Sequence, residues 1–268
     1  MVIIDRKIGF FRSKQVFLAD EPFDLKKCDI ADFVYCTKRV EVPGFKRKEN
    51  LTLITDLTKS LNDIWNDFAR STAREINDGN KLGIKVKFSN DFGEFFRIYK
   101  QFNKQKGLSL AFGLFDIKME TIQKYGTLMY ACYEDDVLLG NVYLEDENRI
   151  ASWFSVSKRL GADPKRSQLI AKANRMTHWE MIKCAKAKGL RDFDWGGIWR
   201  DEEIQGDPTK MGINSFKIRF GGIQTHMYSY EKIYTKKYLM ARYVFGILEK
   251  CRNILYVRSH KANLVSEK

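Results

Sequence analysis

The sequence predicts an α+β fold in which helices flank a central mixed sheet. The first observation is an alternation of apolar and polar residues at 127–158, broken by two turns, which indicates a three-stranded antiparallel meander. The second is a long helical pattern at 166–188, directly after the meander. The third is the return of strand-like segments after that helix. Such a mixed order indicates layers of helices packed on one sheet.

The elements before the meander are shorter. Strand patterns lie at 2–18, 32–42 and 51–57, and the polar, basic stretch at 40–50 predicts a loop. Another strand is predicted at 83–88, where apolar and charged residues alternate.

Two helices are predicted in the same part of the chain. Ser60 is the expected N-cap of the first, with Asp63 in its N-terminal turn, and Gly79 is its expected end. Ser89 is the expected N-cap of the second. An aromatic stripe runs along that second helix, and we interpret it as core packing.

Further elements follow the long helix, which is expected to end at Gly189. They are a strand running into two glycines at 190–198, a polar loop at 199–211, strand-like segments at 214–220 and 223–230, and an amphipathic helix at 236–257.

Three parts of the chain are predicted from this order. Residues 1–85 form a reduced N-terminal subdomain or add strands to the same sheet, 86–235 form the main domain, and 236–268 form a basic helix and tail.

Composition limits the classes of function. With 268 residues and 44% hydrophobic content, the chain is long and apolar enough for a buried core. A net charge of +13 indicates an anionic binding partner, such as nucleic acid, an anionic membrane face or a nucleotide-linked substrate. A basic but otherwise ordinary enzyme has the same composition.

Cysteine and histidine usage argues against disulfides and metals. The five cysteines are an odd number without a CxxC pair, so we expect neither a disulfide framework nor a zinc site. The three histidines share no ligand-like spacing, so a metal-dependent mechanism is not expected. We see no signal peptide and no apolar run long enough to span a membrane, and we therefore expect a cytoplasmic protein.

Four segments between roughly 50 and 230 carry distinctive motifs. They are Asp56-Leu57 followed by Trp65 and the Ser71-Thr72-x-Arg74 cluster, Asn174 five residues before Trp179, the strand Asp192–Ile198 with its two glycines, and Gly212–Gly222 with its Phe216-Lys217 pair and terminal glycines. In this order along the chain, they resemble the Fem-type aminoacyltransferases and related acyltransferases of the GNAT fold.

The resemblance implies a GNAT-like fold with a reduced N-terminal GNAT-like part. It implies transfer of an aminoacyl or acyl group to an amine, by direct attack and without a covalent enzyme intermediate. In Fem-type enzymes the lysine of the Phe-Lys pair lies in the active site, which implies the same for Lys217 beside Phe216. This chain has no counterpart of the coiled-coil arm of some full-length Fem enzymes, and its N-terminal half is shorter than theirs.

Acyl transfer to an amine needs a deprotonated amine, an aligned donor and fixed donors for the oxyanion. We predict that Lys217 stabilises the oxyanion or a phosphate of the leaving group. Asp194, at the end of its strand, is predicted to anchor the substrate ammonium or to accept its proton. An outward-facing strand lysine and a turn-capping aspartate would give the same local patterns.

Five further residues are candidates for substrate binding. The missing side chain of Gly196 allows close backbone approach to a ligand or to a neighbouring element. Trp153 and Ser155 alternate on one strand and are expected to share a face, either at the cleft or under a helix. Asn174 is expected to reach the cleft from the long helix, and Arg74 is expected to bind a phosphate. A polar residue on the solvated face of a helix would give the same sequence pattern at either position.

The sequence leaves the acyl donor open between two classes. Acetyl-CoA enzymes of the GNAT group cradle pyrophosphate in a Gly-rich loop, but the corresponding stretch at 157–168 lacks the full spacing and contains Pro164. Aminoacyl-tRNA fits that departure and the net charge, so we favour it over acyl-CoA. No bound cofactor is expected.

The favoured function is transfer onto an amino group of a nucleotide- or lipid-linked cell-envelope glycan, such as a peptidoglycan precursor. One alternative is an acyl-CoA-dependent N-acyltransferase for an amino sugar in surface polysaccharide synthesis. Another is a non-catalytic module that binds RNA or membrane. The segment from 231 onward has nine Lys or Arg against three Glu, so it packs on the sheet with a basic side in water or lies on the inner face of an anionic membrane.

Overall fold

A computed structural model of the chain describes residues 1–105 and 114–244. The strands in these ranges are β1 (Val2–Ile8), β2 (Phe11–Phe17), β3 (Ile30–Cys36), β4 (Lys46–Asp56), β5 (Lys85–Ser89), β6 (Thr127–Tyr133), β7 (Asp136–Glu145), β8 (Arg149–Ser157), β9 (Asp192–Ile198) and β10 (Ile223–Ile233). The helices are α1 (Leu61–Asn66), α2 (Arg70–Lys81), α3 (Gly93–Gln105), α4 (Leu114–Tyr125), α5 (Pro164–Ala187), α6 (Asp201–Ile204) and α7 (Pro208–Ile218), and 236–244 is also helical.

All of these strands join one mixed sheet in the order β1-β2-β3-β10-β4-β9-β8-β7-β6-β5. The pairs β2–β3 and β8–β9 are parallel and the other neighbours are antiparallel, which confirms the predicted mixed sheet. Strand β10 lies between β3 and β4, so the last part of the chain is hydrogen-bonded to the first. The three-part division of the chain stays a prediction.

The sheet is strongly curved. Four strands lie between β2 and β8 in the sheet order, yet the Trp153 ring on β8 lies 5.9 Å from the Phe17 ring on β2. The buried Arg149 guanidinium, at the start of β8, donates to the carbonyl oxygen of Leu18. Only a curved sheet brings these strands together, and right-handed strand twist is the usual cause of such curvature.

Three apolar clusters pack on the sheet in the described residues, and one of them lies on β2, β3 and β10 around Phe33 and Tyr230. The other two lie on opposite faces of the remaining strands. One buries side chains of α1, α2, α5 and α7 against the central strands, with Trp195 and Phe193 among its largest members. The other packs α3 and α4 on β6, β7 and β8 through Phe95, Ile98 and Ile122. The aromatic stripe of α3 is therefore core, as its spacing predicted. None of the helices in the described ranges is long and apolar enough to cross a membrane.

The first predicted helix is two helices, and its predicted end is wrong. The Ser60 hydroxyl caps α1 by accepting from the Asp63 N–H at 3.1 Å, as expected. The chain then turns and α2 continues through Gly79 to Lys81. A Cβ atom at Gly79 would lie 2.3 Å from the Met176 sulfur, so this glycine permits close packing of α2 on α5.

Three other local predictions also need correction. Strand β4 begins at Lys46, inside the predicted loop at 40–50. The Asp91 carboxylate, and not Ser89, accepts the Gly93 N–H at the start of α3. The segment 214–220, predicted as strand, lies largely in helix α7.

Helix α7 forms although its segment 214–220 alternates like a strand, because N-terminal capping and tertiary contacts favour the helix. The Asp207 carboxylate accepts two backbone N–H groups at the N-terminus, and Pro208 occupies the first turn. Phe216 and Phe220 are four residues apart, so both point to the same side and pack around His178. Of the predicted C-terminal helix, residues beyond 244 lie outside the described residues, as does Cys251.

Candidate active site

Strands β8 and β9 diverge at the centre of the sheet. They pair in parallel only as far as Ala151 and Asp194, while β9 stays paired with β4. A cavity of about 510 Å³ lies beside the divergence. It is lined by Ser152, Ser155, Arg159, Asn174, His178, Trp195, Pro208, Thr209, Gly212, Ile213, Phe216 and Lys217.

Lys217 enters this cavity from α7. Its Nζ atom donates to the Gly197 carbonyl oxygen at 2.8 Å. Burial lowers the pKa of Lys217 to about 8, and the nearby Asp194 charge opposes this shift. Near neutral pH the lysine therefore lies within reach of both its charged and its neutral form, which suits a group that meets a developing charge.

Asp194 is 5% exposed and is not among the cavity-lining residues. One carboxylate oxygen accepts from the Thr52 hydroxyl at 2.5 Å and from the Gly196 N–H at 2.8 Å. Burial raises the pKa of Asp194, and these hydrogen bonds and the Lys217 charge oppose the rise. In this arrangement Asp194 holds the backbone next to Lys217 in place.

The two glycines after Asp194 allow the backbone to shift register. Gly196 has φ +73 and lies where the pairing of β4 with β9 is irregular. A Cβ atom at Gly197 would lie 2.3 Å from the Tyr35 hydroxyl. The absence of a side chain there lets the Tyr35 hydroxyl accept the Gly197 N–H.

Tyr35 is a neighbour of the site that the sequence does not single out. Its φ of +56 is unusual for an aromatic residue, and it lies where the register between β3 and β10 shifts. Burial and the Asp194 charge raise its pKa. No local sequence motif indicates a role for Tyr35, because it reaches Gly197 only through pairing between strands that are far apart in sequence.

A register shift also separates Trp153 from Ser155. The pairing of β7 with β8 is irregular between Val142 and Tyr143, opposite Trp153. Ser152 and Ser155 consequently both line the cavity, whereas Trp153 packs against Phe17. The expectation that Trp153 and Ser155 share a face is wrong, because strict alternation fails at a bulge.

His178 and its partners form a buried polar wall. The His178 ring lies 3.1 Å from the Tyr143 hydroxyl through Nδ1. Burial, followed by the charges of Lys217 and Arg175, lowers the pKa of His178 to about 3, so the ring is neutral at pH 7. Asn174 accepts a hydrogen bond from the Asn141 side chain at 3.0 Å in the same wall. The sequence shows His178 only as one of three scattered histidines.

A second, larger cavity of about 800 Å³ adjoins the first and shares Arg159, Asn174, Gly212 and Phe216 with it. We call it the basic groove. Its charged lining residues are Arg74, Glu75, Asp78, Arg159, Lys172, Arg175 and Arg219. Five are cations and two are acids, so the groove favours an anionic ligand.

Arg175 lies at the base of the basic groove. Its guanidinium pairs with Glu75 at 3.1 Å and lies 5.3 Å from the centre of the Phe216 ring. Its buried Nε atom has no hydrogen-bond partner among the described residues. Such an incompletely satisfied donor can bind an anion without losing an existing bond. Arg74, singled out from the sequence, lies at the exposed side of the same groove.

The predicted site residues therefore fall into three groups. Lys217, Phe216, Ser155 and Asn174 lie together at the first cavity, and Arg74 lies in the adjoining basic groove. Asp194 and Gly196 lie behind Lys217. Trp153 lines neither cavity and packs against Phe17. The basic residues on α5 were the least visible in sequence, since Lys172 and Arg175, spaced by three, look like an ordinary solvated helix face.

Comparison with known proteins identifies the fold. No family model and no curated protein sequence matches the chain. The crystal structure of FemX is similar, with a TM-score of 0.61 and 13% identity over 89% of this chain and 85% of that one. The structure of L-PGS from Bacillus licheniformis is also similar, with a TM-score of 0.52 and 12% identity over 89% of this chain and 83% of that one.

A further solved structure is the C-terminal domain of a putative lysylphosphatidylglycerol synthetase from Agrobacterium fabrum. It has a TM-score of 0.51 and 12% identity, over 86% of this chain and 80% of that one. Identities this low establish similarity of fold alone. The chain therefore has the α+β fold of FemX, and the resemblance to Fem-type proteins drawn from its motifs is confirmed at the level of fold.

Proposed function

We propose that the chain is an acyltransferase that moves an aminoacyl or acyl group from a phosphate-bearing donor to an amine. The observation that carries this proposal is the placement of Lys217. Its amino group, with a pKa of about 8, faces a cavity that opens onto the basic groove. An oxyanion stabiliser beside a polyanion site is the combination that transfer from such a donor requires.

The reaction proceeds by direct attack. The lone pair of the neutral acceptor amine forms a C–N bond with the donor carbonyl carbon, and the carbonyl oxygen becomes an oxyanion. Lys217, as an ammonium, donates a hydrogen bond to that oxyanion. Collapse breaks the bond to the leaving oxygen of an ester donor or the leaving sulfur of a thioester. The proton lost by the amine passes to that leaving atom or to water.

Asp194 acts through the backbone in this scheme. Its hydrogen bonds to Thr52 and Gly196 hold the turn that carries the Gly197 carbonyl oxygen, and this oxygen holds Lys217. The neutral His178 ring lines the same cavity and offers hydrogen-bonding atoms without adding a charge. Ser155 and Asn174 are placed to orient the acyl group or the amine.

The basic groove supports a donor with several phosphates, and aminoacyl-tRNA is the favoured class. Acyl-CoA is the second candidate, because its phosphates would meet the same cations. The loop at 157–168 has Lys158 and Arg166 both paired with Asp136, so these two cations are engaged within the protein. This leaves Arg159 as the cation of that loop that lines the groove.

For the acceptor we propose an amine on a nucleotide- or lipid-linked cell-envelope glycan, with a peptidoglycan precursor as the leading case. The similarity in fold to FemX supports this choice. An amino sugar of a surface polysaccharide fits the same chemistry. We further propose that 86–235 is the catalytic part, because this range supplies every lining residue of the first cavity. All of these residues lie on β8, β9, α5 or α7 except Arg159, which lies in the loop after β8.

A binding and transfer panel tests the proposal. The protein is mixed with acetyl-CoA, with a mixed pool of aminoacyl-tRNA and with uncharged tRNA, and thermal stability is measured at low and moderate salt. We expect salt-sensitive stabilisation by charged tRNA, followed by transfer of label to an amine-bearing wall precursor. Stabilisation by acetyl-CoA alone would favour the N-acyltransferase. Binding of RNA without transfer to any amine would favour the non-catalytic alternative.

A further inference from the structure

The hairpin joining β1 to β2 presents an unusual tip. Gly9 has φ +59, and the adjacent Phe10 is fully exposed. Ile8 is also exposed, and Lys7 and Arg12 flank the turn at the surface. The Phe10 side chain therefore contributes no packing within the described part of the chain.

The helix at 236–244 carries its apolar residues outward. Its exposed apolar side chains are Leu239 at 52%, Met240 at 69%, Tyr243 at 72% and Val244 at 52%. Lys236 and Lys237, one turn earlier, are exposed on the same side, because residues three and four apart share a helix face. A surface helix of a globular protein normally turns such a stripe toward the core.

The hairpin and the helix are joined into one surface. The Phe11 and Tyr238 rings are in edge contact with centroids 5.1 Å apart. The Asp29 carboxylate accepts from the Arg12 N–H at 2.8 Å and from the Thr235 hydroxyl at 2.9 Å. These bonds fix the start of β2 against the start of the helix, so their exposed residues form a single patch.

The patch combines apolar side chains with cations. The stretches 6–12 and 234–244 contain no acidic residue. Among the residues that the structure describes, Lys7, Lys236 and Lys237 form no ion pair, and neither does the Arg12 side chain. The acids close to the helix are engaged: Glu231 pairs with Arg242, and Asp29 accepts the two hydrogen bonds that join hairpin and helix.

We propose that this patch is a docking surface for an anionic phospholipid bilayer. Phe10 and the outward stripe of the helix would enter the interface between headgroups and acyl chains, while the lysines contact lipid phosphates. The inference does not depend on the proposed transfer activity.

Two other occupants fit the chemistry less well. A symmetric dimer would bring the cations of one copy against the same cations of the other, which is repulsive. Nucleic acid would satisfy the lysines but would leave Leu239, Met240 and Val244 without apolar contact. A bilayer satisfies both kinds of side chain.

Co-sedimentation of the full chain with vesicles tests the proposal. We expect binding to mixed phosphatidylglycerol and phosphatidylcholine vesicles that weakens with salt, and little binding to phosphatidylcholine alone. Phe10→Ser should weaken binding on the order of tenfold, since a buried aromatic side chain is lost. Combined Lys236→Gln and Lys237→Gln should weaken it about 30-fold, at roughly 1 kcal/mol per cation.

Matched controls lie on β5, at the opposite edge of the sheet. Phe88 is exposed there beside exposed Lys85 and Lys87. Phe88→Ser and the combined Lys85→Gln and Lys87→Gln should bind vesicles as the wild type does, and a thermal melt confirms that each variant is folded.

Three outcomes would overturn the proposal. The first is failure of the wild type to bind anionic vesicles. The second is an equal loss of binding in the β5 controls. The third is self-association that Phe10→Ser disperses while vesicle binding is unaffected, which would assign the patch to a second copy of the chain.

Discussion

The cavity at Lys217 and the basic groove at Arg175 share lining residues, but their buried cations differ in whether they can lose a proton near neutral pH. Burial brings the pKa of Lys217 down to about 8, so the lysine can gain or lose a proton near neutral pH. Burial also lowers the pKa of Arg175, but a guanidinium stays charged at any physiological pH. The cavity at Lys217 is therefore suited to a charge that develops during a reaction, and the basic groove to a ligand with permanent charge.

The largest expected effect comes from removing the titratable amine. Lys217→Met should reduce transfer about 10²- to 10³-fold, because an oxyanion loses its fixed donor. The wild-type rate, divided by the fraction of acceptor amine that is neutral at each pH, should fall as pH rises through about 8, since the ammonium form of Lys217 is the one that donates. Both are measured with the donor that the binding panel identifies.

Lys210 supplies the control for this variant. It lies on the same helix, but it pairs with Asp207 and does not line the cavity. Lys210→Met should keep full activity. A rate that does not fall through pH 8 after this correction for the neutral amine, or an active Lys217→Met, would remove Lys217 from the role of oxyanion stabiliser.

The second effect concerns the permanent charge. Arg175→Ala should weaken donor binding about 10- to 100-fold, because charge-assisted hydrogen bonds to phosphate are lost, and it should flatten the dependence on salt. Arg74→Ala, at the exposed side, should weaken binding less than about fivefold. Binding is measured by titration at several salt concentrations.

Two variants would make the contrast sharper. Arg175→Lys should not restore binding, because an ammonium lacks the planar array of donors. Arg39→Ala, in an exposed loop, should bind the donor as the wild type does. Equal losses for Arg39→Ala and Arg175→Ala would mean that net charge alone, and not the groove, attracts the donor.

The third effect concerns the stability of the protein and lies at His178, whose pKa is lowered by burial and by the charges of Lys217 and Arg175. Because its pKa is lowered to about 3, the unfolded chain binds a proton below pH 6.5 that the native protein does not bind. The free energy of unfolding should therefore fall as pH falls from 6.5 to 3. His178→Gln should remove roughly 1 kcal/mol per pH unit of this slope.

Denaturant titrations across that pH range measure the slope. Tyr143→Phe is the matched control, since it removes the hydrogen-bond partner but leaves His178 buried. It should lower stability and retain the wild-type slope. An unchanged slope in His178→Gln would show that the imidazole is protonated in the native protein, which would place a second cation beside Lys217.

Much of the fold could be predicted because its signals are local. The meander, the long helix α5 and the Ser60 cap depend on neighbouring residues, and each appears as expected. The Phe216-Lys217 pair and the glycines after Asp194 drew attention to the right segments, because backbone conformation and side-chain chemistry at those positions are special.

Other features were settled only by contacts between residues far apart in sequence. The segment around Phe216 alternates like a strand, but packing of Phe216 and Phe220 on His178 makes it a helix. Bulges in paired strands turn Ser152 into the cavity and bring Tyr35 to Gly197.

The order of elements from the meander to β9 and the segments that carry the chemistry follow from sequence alone, since periodicity, caps and glycines act within a few residues. Which cations share the basic groove depends on tertiary contacts, because each of them looks ordinary in sequence: Arg74 on α2, Arg159 after β8, Lys172 and Arg175 on α5, and Arg219 after α7. The tertiary structure also decided the protonation of Lys217, since burial of a charge depends on every element that surrounds it.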